Sequence, residues 1–168
     1  HHLEGRPSHG HLLQRDRLVT CHDITLYLIK SFVILGSLLH SAVTDIVKCV
    51  LAIEEFSVED CESLQEVLSI IVESAVDLFH LSDGGKTNPE VIIHEYVPCW
   101  MRFKELGRLL GYSLQEVSDR WADGKGPLAV HFTGQEVAQL VVAIFENTSK
   151  RDILLTQLRS RPSIHVPS

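Results

Sequence analysis

From Leu28 onward the apolar residues fall at Leu28, Phe32, Leu35, Leu39, Ala42, Ile46, Val50 and Ile53, spaced 4, 3, 4, 3, 4, 4 and 3. That rhythm is one stripe down a long α-helix. Gly36 is a local weak point in it, costing about 1 kcal/mol against alanine on propensity alone. The helix is expected to end at Glu54-Glu55-Phe56, with Ser57 opening the next one, because Ser57 stands three residues before Asp60 in an approximate capping box. Cys61, Leu64, Leu68, Ile71, Ala75 and Leu78 then repeat at 3, 4, 3, 4 and 3. The short link between the two predicts an antiparallel helix pair.

The pattern breaks between His80 and Pro89, a stretch rich in Gly, Ser, Asp and Asn. Val91 to Val97 is β-branched, yet no second strand-like run exists to pair with it, so an extended strap or part of a helix is expected. Helical spacing resumes through Trp100, Phe103, Leu106, Leu110, Leu114, Val117 and Trp121, with a kink or restart at Gly111 and the Ser113…Glu116 capping box. It stops at Asp123-Gly124-Lys125-Gly126-Pro127. Thr133 with Glu136 opens a further helix through Val137, Leu140, Val141, Ile144 and Phe145. Thr148 is expected to cap a last segment through Ile153, Leu155 and Leu158. The fold class is all-α, an antiparallel helical bundle of four to six helices. Its expected organisation is a tail over 1–20 (an expression remnant or disordered end), a bundle over 21–158 and a frayed tail over 159–168.

Composition narrows the function. With 45% hydrophobic and 22% charged residues in 168, the chain has the make-up of a folded domain. The formal charge of −7 argues against bulk attraction to nucleic acid or anionic lipid. Cys21, Cys49, Cys61 and Cys99 form no C-x-x-C pair, which suits a reducing compartment without a disulfide framework. No signal peptide is visible, and the chain starts at His1 rather than Met, as expected of a fragment. The greasy stretch from Ile24 to Ile53 carries Lys30, His40, Asp45 and Lys48, charges at every depth of a would-be bilayer. It is therefore expected to be a buried helix with no direct membrane insertion.

Catalytic and metal chemistry lack their residue sets. Asp77…His80 occurs once, where a bundle metal site needs several such ligands, so no metal and no cofactor are expected. Gly84-Gly85-Lys86-Thr87 resembles the end of a phosphate-binding loop, but His80 stands where its first glycine belongs. Cys99 lies near His94 and Glu95 in sequence, without a nucleophile-elbow or oxyanion signature. The expectation is a protein that is not an enzyme.

Charge is unevenly placed. Residues 54 to 77 hold Glu54, Glu55, Glu59, Asp60, Glu62, Glu66, Glu73 and Asp77 and no Lys or Arg. Glu59, Glu62 and Glu66 form either a solvated face or a docking surface for a basic partner. The basic residues collect later, from Arg102 to Arg161, and some of them are able to neutralise the acidic helix within the bundle. Trp121 is a candidate wedge fixing the last helices, or simply core. Asp123 and Lys125 are candidate partner contacts, or helix-end residues only.

From Tyr96-Val97-Pro98-Cys99-Trp100 through Leu114-Gln115-Glu116-Val117-Ser118-Asp119-Arg120-Trp121-Ala122-Asp123-Gly124-Lys125-Gly126-Pro127-Leu128-Ala129 to Ile144-Phe145-Glu146-Asn147-Thr148-Ser149-Lys150-Arg151, the chain resembles a known family. That family is the C-terminal region of zeste-white ten, centromere/kinetochore proteins that also belong to the Dsl/NRZ tethering complex. The similarity runs from about residue 30 to residue 158, a length one domain accounts for. The resemblance implies the C-terminal module of a helical-rod tethering protein. It implies kinetochore work with Rod and Zwilch in the spindle checkpoint and dynein recruitment. It also implies retrograde Golgi-to-ER transport with NAG at the ER membrane. The partner it implies for this region is a Rod-like or NAG-like large subunit, with a cytoplasmic location, peripheral at the ER and at the kinetochore in mitosis. A truncated fragment that folds without binding is the alternative, and a thiol- or metal-dependent bundle enzyme a remote one.

Overall fold

Capping side chains open the helices that follow Ser57, Asn88, Ser113, Thr133 and Thr148 in the structure, a computed structural model that describes residues 10–82, 84 and 87–160, with side chains for 26–81, 84 and 87–160. Eight α-helices and one 3-10 turn make up those residues, in the order α1 (Gly10–Leu51), α2 (Val58–Ser82), α3 (Pro89–Tyr96), α4 (Trp100–Leu109), α5 (Leu114–Trp121), α6 (Pro127–His131), α7 (Gly134–Ile144) and α8 (Ser149–Ser160). The fold is all-α. The count exceeds four to six because Pro98, Gly111 and Pro127 divide the second half of the chain into short pieces.

The expected caps are in place. Ser57 Oγ accepts from the Asp60 amide at 3.0 Å, and Asp60 Oδ2 accepts in return from the Ser57 amide at 3.0 Å. Ser113–Glu116 and Thr133–Glu136 form full reciprocal boxes at the starts of α5 and α7. Thr148 Oγ1 accepts from the Arg151 amide at 3.3 Å. The β-branched stretch Val91 to Val97 is helical through Tyr96, with Val97 as the C-cap of α3. Pro89 sits in the first turn and Asn88 Oδ1 accepts from the Glu90 amide at 3.0 Å.

Helix α1 is the spine, and α2 returns along it antiparallel: Phe32 stacks on Phe79 at 5.9 Å, far from the link joining the two helices. Helices α3 and α4 pack across both. Helices α5 to α8 form a second group, tied to the first where α7 meets α1 and α6 meets α4. The Phe56 amide donates to the Ala143 carbonyl at 2.9 Å, joining the α1–α2 link to α7.

Several expectations need correction. Helix α1 starts at Gly10, and residues 1–9 and 161–168 of the expected tails lie outside the described residues. Helix α1 ends at Leu51, and Ile53 is exposed beyond it. The line of deepest burial on α1 runs through Phe32, Gly36, Val43, Val47 and Val50, while Ala42 is exposed and Ile46 only half-buried. Helix α1 contacts α2, α3, α4 and α7, so its buried direction is set by all four and not by α2 alone. On α2 the core residue is Phe79, fully buried, and Leu78 is 46% exposed. On α8 it is Leu154 with Leu155 and Leu158, while Ile153 faces out.

Nor is α1 a buried helix. The segment Leu26–Leu51 is long and apolar enough to cross a membrane by length and composition, yet only 17% of an apolar 18-residue stretch of it is buried in the bundle. Tyr27, Ile34 and Leu38 are among its exposed apolar side chains. Gly36 is no weak point: a Cβ there would lie 2.5 Å from Tyr96 Cβ, so the missing side chain is what lets α1 and α3 meet.

Candidate interaction surfaces

Helix α2 spends one face on the core through Cys61, Leu68, Ala75 and Phe79. The opposite face carries Glu59, Glu62, Glu66, Glu73 and Asp77, all exposed, and at 100° per residue these five lie within about 60° of one another. Val67, Ile70 and Leu81 are exposed beside them. The outward surface is therefore an acidic strip edged with aliphatic side chains.

The later basic residues do not neutralise that strip. Arg102 pairs with Glu136 at 2.7 Å, and Lys104 with Glu90 at 2.9 Å. Arg120 donates through Nε and Nη2 to Glu105 Oε1 at 2.8 and 2.6 Å, and Arg108 reaches Glu105 Oε2 at 3.3 Å. Arg151 donates to the Phe145 carbonyl at 2.7 Å. Among the described residues, no Lys, Arg or His forms an ion pair with Glu59, Glu62 or Glu66. Asp60 is engaged by Ser57, whose hydroxyl and then amide hydrogen bonds hold its carboxyl below the usual range.

Glu105 is a functional residue of the scaffold that sequence reasoning missed. At 3% exposure it is the buried charged residue of the described core, and it gathers Arg108, Arg120 and the Tyr112 hydroxyl, 3.5 Å away. Nothing in a helical E-x-x-R spacing distinguishes a surface pair from this buried hub. Burial first, then the Glu105 charge, pushes the Tyr112 phenol up, opposed by Arg120 and Arg108.

The turn after α5 holds the other candidates. Ala122, Asp123 and Gly124 have φ of 45°, 56° and 82°, three successive left-handed residues that reverse the chain sharply. Asp123 and Lys125 are exposed at its tip. Trp121 is 1% exposed and faces the core. Its indole lies against Gly134, whose added Cβ would be 3.3 Å from Trp121 Cζ2 and 2.2 Å from the Leu158 carbonyl oxygen. Trp121 is thus lodged where the start of α7 meets the end of α8, and is buried in the core at the same time. Glu59, Glu62 and Glu66 share one face of α2.

Among the described residues, no three His, Cys, Asp or Glu side chains group as a metal site. Cys49 is exposed, Cys61 buried and Cys99 half-buried, all as free thiols. Burial, with Asp60 adding to it, pushes the Cys61 thiol up.

Comparison with known proteins places the chain. A family model described as the ZW10 C-terminal helical domain matches residues 27–158. The centromere/kinetochore protein zw10 homolog of Mus musculus is 39% identical over 127 residues, which is 74% of this chain and 16% of that protein. The homolog of Rattus norvegicus is 38% identical over the same shares. Centromere/kinetochore protein zw10 of Drosophila grimshawi is 27% identical over 121 residues, 72% of this chain and 16% of that protein. The chain therefore spans a small part of the length of these relatives. With its capped all-helical architecture and a match over most of its length, this chain belongs to the ZW10 C-terminal helical domain family.

Proposed function

We propose that this chain is a non-enzymatic docking module of a multisubunit tethering and kinetochore assembly. Its partner is a Rod-like or NAG-like large subunit, and it serves retrograde Golgi-to-ER transport and the spindle checkpoint. It works in the cytoplasm, peripherally at the ER membrane and at the kinetochore in mitosis. The observation that carries the docking role is the α2 strip: carboxylates on one face, of which Glu59, Glu62 and Glu66 have no ion-pair partner among the described residues, while Arg102, Lys104 and Arg120 pair with Glu136, Glu90 and Glu105. Such a strip raises the rate of encounter with a basic partner, and Val67, Ile70 and Leu81 supply apolar surface to bury once it arrives. The complementary surface is an amphipathic helix with lysine or arginine beside an apolar stripe. Asp123 and Lys125 offer a smaller, separate surface at the turn.

Co-purification and association kinetics of the 168-residue chain with each large subunit test this. Wild type binds, and the Glu59→Lys, Glu62→Lys, Glu66→Lys triple variant associates slower by about tenfold or more at low salt, the difference shrinking as salt rises. Binding unchanged in the triple variant moves the interface off α2. A folded wild-type chain that binds neither subunit would favour a fragment that has lost its partners.

A further inference from the structure

Cys99 and His40 are 59 residues apart in sequence and meet at the junction of α1 with α4, with Cys99 Sγ 3.0 Å from His40 Nδ1. Thr44, one turn along α1 from His40, brings its hydroxyl to 3.2 Å from the same sulfur. The sulfur opens on a cavity of about 250 Å³ lined by His40, Thr44, Val47, Lys48, Cys99 and Arg102. That wall combines a thiol, an imidazole able to take its proton, a hydroxyl able to donate to the resulting sulfur anion, and the exposed ammonium of Lys48, 3.5 Å from Asp45; Arg102 is already paired with Glu136. Cys99 is moreover the N-cap residue of α4 and makes no side-chain capping bond there, so its sulfur is left to His40 and Thr44. The other described thiols lack this setting: Cys61 is buried, and Cys49 is exposed. Two ligands do not make a metal site, and thiol exchange is the chemistry that Cys99, His40 and Thr44 have the atoms for.

We propose that Cys99 is a modification site that exchanges with small anionic disulfides of the glutathione type, with His40 as the proton acceptor and the exposed Lys48 attracting a carboxylate. In the neutral imidazole with its proton on Nε2, Nδ1 accepts the Cys99 proton. The sulfur then attacks one sulfur of the disulfide; the new Sγ–S bond forms as the S–S bond of the reagent breaks. The released thiolate takes the proton from Nδ1 and leaves as a thiol. One disulfide is consumed and one formed, so no other oxidant is needed. Cys99 sits where α4 packs on α1, so the adduct occupies the cavity between them and reports on, or loosens, that contact.

The test is exposure of the full chain to oxidised glutathione at pH 7, with each cysteine followed by peptide mass mapping. Cys99 is expected to be modified about tenfold or more faster than the more exposed Cys49. His40→Gln should remove most of that advantage, while Lys48→Gln should slow the reaction with oxidised glutathione but not with uncharged hydroxyethyl disulfide. Circular dichroism checks that each variant is folded; if His40→Gln is not, Thr44→Val and the wild-type Cys99-to-Cys49 ratio decide. Equal rates at Cys49 and Cys99, or a folded His40→Gln chain with wild-type kinetics, would overturn the proposal.

Discussion

Replacing Gly36 by alanine sets two physical effects of opposite sign against each other. In the interior of an isolated helix, Gly→Ala stabilises by about 1 kcal/mol through backbone entropy. In this bundle the new methyl would lie 2.5 Å from Tyr96 Cβ and 3.0 Å from the Tyr96 carbonyl oxygen. Carbon atoms rest at about 3.5–4.0 Å, so α3 must retreat by about 1 Å from α1. The obstacle is a Cβ and a backbone carbonyl rather than the tip of a flexible side chain, which places the cost in the upper half of the 1–3 kcal/mol overpacking range at about 2–3 kcal/mol. The net expectation is a loss of about 1–2 kcal/mol. It also disturbs the contact of Phe32 with Tyr96 one turn away. In urea unfolding followed by circular dichroism, with a slope near 2 kcal/mol/M, the midpoint should fall by about 0.5–1 M. Tyr96→Gly removes the closest atom, so in that background Gly36→Ala should cost less than half as much, a coupling that a double-mutant cycle measures. A midpoint raised by Gly36→Ala, or a coupling of zero, would refute the reasoning.

Three further outcomes are expected. Arg120→Met leaves the buried Glu105 carboxylate with only Arg108 at 3.3 Å and the Tyr112 hydroxyl at 3.5 Å and should cost about 1–3 kcal/mol, whereas Glu105→Met frees an arginine one-third exposed to water and should cost less. The double variant should regain part of the Arg120→Met loss in equilibrium denaturation, and an Arg120→Met cost no greater than that of Glu105→Met would count against the hub. Ala122, left-handed at φ 45°, stands at the C-terminal cap of α5, so Ala122→Gly should raise the melting temperature, by a free energy of about 0.5–1 kcal/mol. Burial first, with Arg102 and His94 adding and Glu105 opposing, holds His131 below its ordinary value of 6.5. Its neutral form is the one the fold accepts, so this contribution to stability is whole above pH 6.5 and lost as pH falls from there through the folded-state value. His131→Gln should flatten stability between pH 7 and pH 5, a window above the acid range in which the Asp60 and Glu116 caps protonate.

The acidic strip shows how far a sequence reaches into a candidate site. The run of carboxylates from Glu54 to Asp77 is legible as composition, and helical spacing alone puts Glu59, Glu62 and Glu66 on one face. Whether the bundle neutralises them depends on where Arg102, Lys104, Arg108 and Arg120 end up, and the fold gives those to Glu136, Glu90 and Glu105. The pairing of His40 with Cys99 left no mark in the sequence, where Cys99 has His94 and Glu95 as neighbours.

By itself the sequence determined the helical class, the antiparallel α1–α2 pair and the helix starts at Ser57, Ser113, Thr133 and Thr148, because a cap is a contact within three residues. Proline and glycine placed the breaks for the same local reason. The tertiary structure alone decided that Val43 and Val47 rather than Ala42 and Ile46 lie at the centre of α1, that Phe79 rather than Leu78 closes α2, that Glu105 is buried, and that Gly36 is a point of contact. Periodicity fixes which residues share a stripe to within about one position. The exact direction of burial is set by helices distant in sequence, whose positions follow from the packing of the whole bundle and not from the spacing within any one helix.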